Sequence, residues 1–130
     1  MANILIIDDD PVFANMLEQR LSRAGHFVSV HVGPFGSTLA ARRPGLDMIV
    51  LDVFMPGLDG PALLDLIRKD GGASRLKVVF CSSMDPEALR ELARRHQASG
   101  FIPKSAERAQ VIERLEALLP RPLRTIKPQS

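Results

Sequence analysis

At 130 residues, 45% of them hydrophobic and 25% charged, the chain has the length and balance of one globular domain, neither disordered nor membrane-spanning. Its formal charge of +2 comes from the end: Arg121, Arg124 and Lys127 lie in the acid-free segment PRPLRTIKPQS, and without them 14 basic residues face 15 acidic ones. That excludes a basic nucleic-acid surface on the body, while the lone Cys81 excludes a disulfide framework and suits a reducing cytoplasm.

The first element is ILII at residues 4–7, which runs straight into Asp8, Asp9, Asp10 and Pro11. MANILIIDDD has no basic start leading to an apolar signal core, and no apolar run is long enough to cross a bilayer, so a cytoplasmic location and no membrane partner are expected. Two carboxylates about 6 Å apart repel by roughly 2–3 kcal/mol at an effective dielectric near 20, so a cation is expected beside them. Asp10-Pro11 supplies an N-cap and an N1 proline. Phe13, Met16, Leu17, Leu21 and Ala24 follow at helical spacing, and Gly25 closes that helix.

A second strand is expected over Phe27–Val32 and a weak helix over Gly36–Arg43, crowded by Pro34, Gly36 and Pro44. A third strand, Met48–Leu51, leads to Asp52, and Pro61 marks the start of a third helix. The fourth strand is expected over Leu76–Cys81, with Cys81 as a packed strand thiol. Pro86 starts a fourth helix in which Leu89, Leu92, Ala93 and His96 recur at helical spacing, while Arg90, Arg94 and Arg95 with His96 form a solvated face where a partner could dock. Gly100–Pro103 is the fifth strand. Val111, Ile112, Leu115, Leu118 and Leu119 make the last helix.

Strands read as apolar throughout are covered on both faces, and strand–helix alternation argues for an open parallel sheet. Pro103 suits an edge strand. The expectation is a flavodoxin-like (βα)5 fold, a five-stranded parallel sheet of order 2-1-3-4-5 with helices on both faces. That order makes strands 1 and 3 neighbours. Their carboxyl ends bring Asp8, Asp9 and Asp52 to one rim, where strands 4 and 5 deliver Ser82, Ser83 and Lys104. Hard carboxylate oxygens suit Mg²⁺, and a carboxylate, a hydroxyl and an ammonium suit a phosphoryl group.

With IIDD, LDVFMPGLDG, VVFCSS and GFIPKS in order, and with thirty positions from 52 to 82 and twenty-two from 82 to 104, the chain resembles the receiver domain of bacterial two-component response regulators over roughly residues 2–119. The resemblance implies a receiver domain over 1–119 followed by a Pro-rich basic tail or linker over 120–130. It implies that Asp52 is the phosphoacceptor, served by a sensor histidine kinase or phosphotransfer protein, and that the product switches binding to a downstream protein. Asp9 and Asp52 would ligate Mg²⁺ directly, Asp8 through water, and Phe54 through its backbone carbonyl. Ser82 and Lys104 would hold the phosphoryl group, and Phe101 would be the aromatic that moves with the hydroxyl.

Two positions depart from the family. Ser105 stands where many receivers have proline behind a cis bond, so a trans bond with a reshaped loop, or strain, is expected. Phe54, two residues after Asp52, is bulky where the family tunes dephosphorylation, which implies restricted water access and a long-lived phosphoryl group. Two other functions fit parts of the pattern. Asp8 and Asp10 have the Asp-x-Asp spacing of haloacid-dehalogenase-type phosphatases, but no acidic pair follows Lys104 and Asp52 is left without a role. A receiver-shaped scaffold that works without phosphorylation is the other, although degenerate receivers usually lose an acidic residue or the lysine, and all are present here.

Overall fold

The structure, a computed structural model, describes residues 1–69 and 76–119. Its elements alternate: β1 (Asn3–Asp8), α1 (Pro11–Arg23), β2 (Phe27–Val32), α2 (Ser37–Ala41), β3 (Met48–Asp52), α3 (Gly60–Lys69), β4 (Lys77–Ser82), α4 (Pro86–Arg95), β5 (Gly100–Pro103) and α5 (Arg108–Leu118). The strands form one parallel sheet in the order β2-β1-β3-β4-β5, the expected flavodoxin-like order. The tail expected over 120–130 lies outside the described residues.

Successive strand residues point to opposite faces, and the core divides accordingly. On one face Ile4, Ile6, Met48, Val50, Val79 and Cys81 meet Leu17 and Leu21 of α1 and Val111 and Leu115 of α5. On the other, Leu5, Ile7, Ile49, Leu51 and Phe80 meet Leu63, Leu64 and Ile67 of α3 and Leu89 and Ala93 of α4. The three central strands are therefore buried along almost their whole length, as their unbroken apolar runs require.

β2 behaves differently from the other apolar runs. Its sequence FVSVHV alternates, and at the sheet edge only Val28 and Val30 turn to the core, while Phe27 and Val32 are exposed. Pro103 sits on the opposite edge strand, where its missing N–H breaks no ladder.

The helix starts follow local chemistry. Asp10 caps α1 by accepting from the amides of Val12 (3.1 Å) and Phe13 (3.4 Å), with Pro11 in the first turn. Asp85 caps α4 through Ala88 N (3.1 Å). α3 begins at Gly60, one residue before Pro61, and Asp59 accepts from Ala62 N at 3.0 Å. α2 is shorter than the 36–43 expectation, because Gly36 enters with φ of +78° and no side chain caps it. At the end of α4, Gln97 adopts φ of +59°, and Arg68 of α3 donates to the carbonyls of His96 (3.3 Å) and Gln97 (2.5 Å). Those bonds serve carbonyls that the helix leaves without partners.

Candidate functional site

The sheet order reverses direction between β1 and β3, so their carboxyl ends open into a crevice with those of β4 and β5 beside it. Asp8 ends β1 and Asp52 ends β3, and strand alternation keeps both in the rows of Ile4, Ile6, Met48 and Val50. Both are buried, at 2% and 3% exposure. Asp9, one residue beyond the strand, is exposed. Each of the three offers a carboxylate oxygen within 4.8 Å of the others.

The nearest cation is the chain's own. Lys104, just past β5, sends its ammonium to Asp8 Oδ1 at 3.0 Å and Asp52 Oδ2 at 3.2 Å, with Asp10 Oδ2 at 4.0 Å. The resemblance implies a Lys104 contact with a phosphoryl group on Asp52; the bond to Asp8 goes beyond it. Lys104 is brought there by its amide, which donates to Ser82 O at 2.9 Å, and by the turn closed from Ala106 N to Pro103 O at 3.0 Å. The Lys104–Ser105 bond is trans, as is every described peptide bond, and Ser105 does not adopt a positive φ.

Burial pushes the Asp8 carboxyl up to about 6, against the Asp10 amide, which donates to it at 2.9 Å, and against Lys104; the nearby Asp52 charge adds to the rise. For Lys104 burial works to lower the proton affinity, but the two carboxylates outweigh it and the net direction is up. The Lys104 ammonium thus bridges the side chains of Asp8 and Asp52 across the rim.

The other sequence-derived residues surround this set. Asp52 Oδ1 accepts from Phe54 N at 2.9 Å, while the Phe54 side chain stands 66% exposed. Ser82 is fully buried at the end of β4, and its hydroxyl oxygen accepts from Met84 N at 3.0 Å, which leaves its hydrogen for donation. Ser83, next to it, is exposed. Phe101 lies opposite Phe80 on β5, half-buried against the second core cluster. Cys81 is buried between these elements, and burial holds its thiol well above the usual range.

The donor set fits a hard divalent cation: three carboxylates close together, one of them solvent-facing, so that a metal could keep several of its waters. One neighbour escaped the sequence reading. The Phe13 ring of α1 lies beneath the Lys104 ammonium, 5.0 Å from centroid to nitrogen. At helical spacing Phe13 reads as core, and no local signal distinguishes it.

A doubly wound sheet with clustered aspartates and a bridging lysine on its carboxyl rim is the architecture of a phosphoryl-accepting signalling domain. The chain belongs to the response regulator receiver domain family, whose model matches residues 4–116. It is 28% identical to protein PilH of Pseudomonas aeruginosa over 119 residues, covering 92% of this chain and 98% of PilH. It is 31% identical to the transcriptional activator protein PfeR of the same organism over 118 residues, spanning 91% of this chain but 38% of PfeR. The solved chemotaxis response regulator CheY4 of Vibrio cholerae superposes with a TM-score of 0.81 at 22% identity, over 92% of this chain and 99% of that one, which shows the shared fold. As a member of the family the chain is a phosphorylatable receiver of two-component signalling, a signalling module rather than an enzyme, and its aspartate cluster fits the phosphorylation site. Receivers work with histidine kinases or phosphotransfer proteins and with downstream targets. No helix among the described residues is long and apolar enough to cross a membrane.

Proposed function

We propose that Asp52 accepts a phosphoryl group from a phosphohistidine of a sensor kinase or phosphotransfer protein, and that the phosphorylated form changes the binding of a protein target. A carboxylate oxygen of Asp52 attacks phosphorus as the phosphorus–nitrogen bond breaks, and its electron pair returns to the imidazole. Asp9, Asp52 and the Phe54 carbonyl are the proposed holders of Mg²⁺, with Asp8 acting through water. The ion supplies charge neutralisation for the phosphoryl oxygens. Ser82 donates its hydroxyl hydrogen to the phosphoryl group, Lys104 exchanges a carboxylate for it, and Phe101 follows the hydroxyl inward. This is a population shift biased by bonds made only to the modified state.

One observation carries this reading: Lys104 Nζ spans Asp8 and Asp52 inside the three-aspartate cluster. We place the receiver at 1–119 and a Pro-rich basic tail or linker at 120–130, in a cytoplasmic setting that keeps Cys81 reduced. The balance of charge over the body favours a protein target over direct nucleic-acid binding.

The test is incubation with Mg²⁺ and acetyl phosphate, read by intact mass beside Asp52→Asn. One Mg²⁺-dependent phosphoryl adduct, absent from the variant, is expected. Failure to form both this adduct and a beryllofluoride complex would overturn the reading in favour of a phosphorylation-independent scaffold.

A further inference from the structure

We infer that Phe13 is a positioning residue for Lys104, holding the ammonium on its π face while the lysine exchanges one anionic partner for another. This rests on the reading of Lys104 as the cation that engages a phosphoryl group on Asp52. The ammonium has three donors, of which two point to Asp8 Oδ1 and Asp52 Oδ2 at 3.0 and 3.2 Å. The Phe13 ring centroid lies 5.0 Å from the same nitrogen, inside the range of a cation–π attraction. The Lys104 side chain is only 13% exposed, so water screens the contact weakly.

The ring is itself fixed. Phe13 lies in the first turn of α1, its amide donates to the capping Asp10 carboxylate at 3.4 Å, and its side chain packs against the cluster of Leu17, Leu21 and Val111. Lysine is a point charge on a flexible four-carbon stem, so it needs a guide if it is to swing without leaving the rim. A carboxylate partner cannot serve, because it is what the lysine must let go. The face of an aromatic ring can, since its attraction depends on where the charge sits and leaves the N–H directions free. A leucine of similar bulk would keep the packing and lose the attraction.

The test replaces Phe13 with mono-, di-, tri- and pentafluorophenylalanine, near-isosteric rings whose faces become progressively less negative, beside Phe13→Leu and Phe13→Tyr. In metal-free protein, the Lys104 ε-methylene protons should show an upfield ring-current shift that Phe13→Leu abolishes and Phe13→Tyr keeps. With Mg²⁺, beryllofluoride affinity and the rate of labelling by acetyl phosphate should fall stepwise along the fluorine series. From Phe to Leu the loss should be about three- to tenfold, with Tyr restoring it. A flat fluorine series, or an unshifted ε-methylene signal in the unaltered protein, would overturn the inference. An unaltered protein that takes up neither beryllofluoride nor phosphate would overturn the phosphoacceptor reading instead, and the positioning role with it. Because the fluorinated rings preserve volume, misfolding of Phe13→Leu would not decide the matter.

Discussion

Replacing Asp8 with Asn should stabilise the metal-free protein at neutral pH, although it removes one half of an ion pair. The asparagine side-chain oxygen can still accept from the Asp10 amide and from Lys104, now at 2.9 and 3.0 Å from Asp8 Oδ1. What disappears is a carboxylate that burial penalises more than its partners compensate, which is why the carboxyl rises from 3.8 to about 6 with Lys104 already in place. At about 1.4 kcal/mol for each tenfold in proton affinity, its ionisation costs the fold roughly 2–3 kcal/mol. Below pH 3.8 the carboxyl is protonated in both folded and unfolded chains, so nothing is lost; stability then declines as pH rises through about 6. The advantage of Asp8→Asn should therefore be near zero at pH 4, grow to pH 6 and level off above it. In thermal unfolding followed by circular dichroism in EDTA, the plateau corresponds to roughly 5–10 °C for a domain of this size. Mg²⁺ should narrow the gap by stabilising the unaltered protein preferentially. A pH-independent difference, or an Asp8→Asn protein that melts lower at pH 7.5, would refute the reasoning.

Lys104→Met should lower metal-free stability at pH 7.5 by roughly 2–4 kcal/mol, because two buried carboxylates lose their cation; urea unfolding at pH 5, where Asp8 takes up its proton, should recover much of that loss. In Gly60→Ala the new Cβ would lie 2.7 Å from Val53 Cγ1 and 3.2 Å from Val53 Cα, so about 1–3 kcal/mol of stability should go in the same assay. Since Val53 follows Asp52, labelling by acetyl phosphate should also slow. Cys81 should resist a thiol reagent in the native protein and react fully once denatured; rapid native labelling would contradict its burial. Phe54→Ala should shorten the phosphoryl lifetime, measured as the decay of the mass adduct after donor removal, and an unchanged lifetime would show that the exposed ring does not limit water.

The sheet was legible because burial on both faces leaves a direct trace in composition. Ile4–Ile7, Met48–Leu51 and the run ending at Cys81 are apolar without alternation, and all three became central strands. β2 was legible as a strand but misread as equivalent to them, since the alternation of FVSVHV was the mark of its edge position. Chain punctuation also translated well: Asp10-Pro11 and Pro86 start helices where they were expected, and the structure adds Asp85 as the cap of the second. The length of α2 was not legible, because Gly36 and Pro44 bound the segment without fixing how many turns survive between them.

The site divided along the same line. Asp8, Asp9, Asp52 and Lys104 could be assigned to one rim, since sheet order alone brings strand ends together. Pairwise choices within the rim could not. Whether Lys104 reaches Asp8, Asp52 or both depends on the turn after Pro103 and on side-chain reach, and Phe13 enters only through the packing of α1 against the sheet.

Those choices give the three consecutive aspartates three fates: Asp10 satisfies helix amides, Asp8 is buried against Lys104, and Asp9 faces solvent. Lys104 faces Asp8 and Asp52 with Asp10 Oδ2 4.0 Å away and Asp9 in the same cluster, so acidic side chains outnumber the single ammonium at the rim. Lys104 is enough to hold the buried pair together in a folded chain, but not to neutralise the rim. A second cation therefore strengthens the site only if it comes from outside, and the clustered carboxylate oxygens suit a hard divalent one. Phosphorylation would then raise the demand on the lysine, because the modified side chain carries more charge than Asp52 did. The bridging lysine keeps the unmodified rim tolerable and remains available to the added charge, provided something other than Asp8 and Asp52 keeps it in place as it moves.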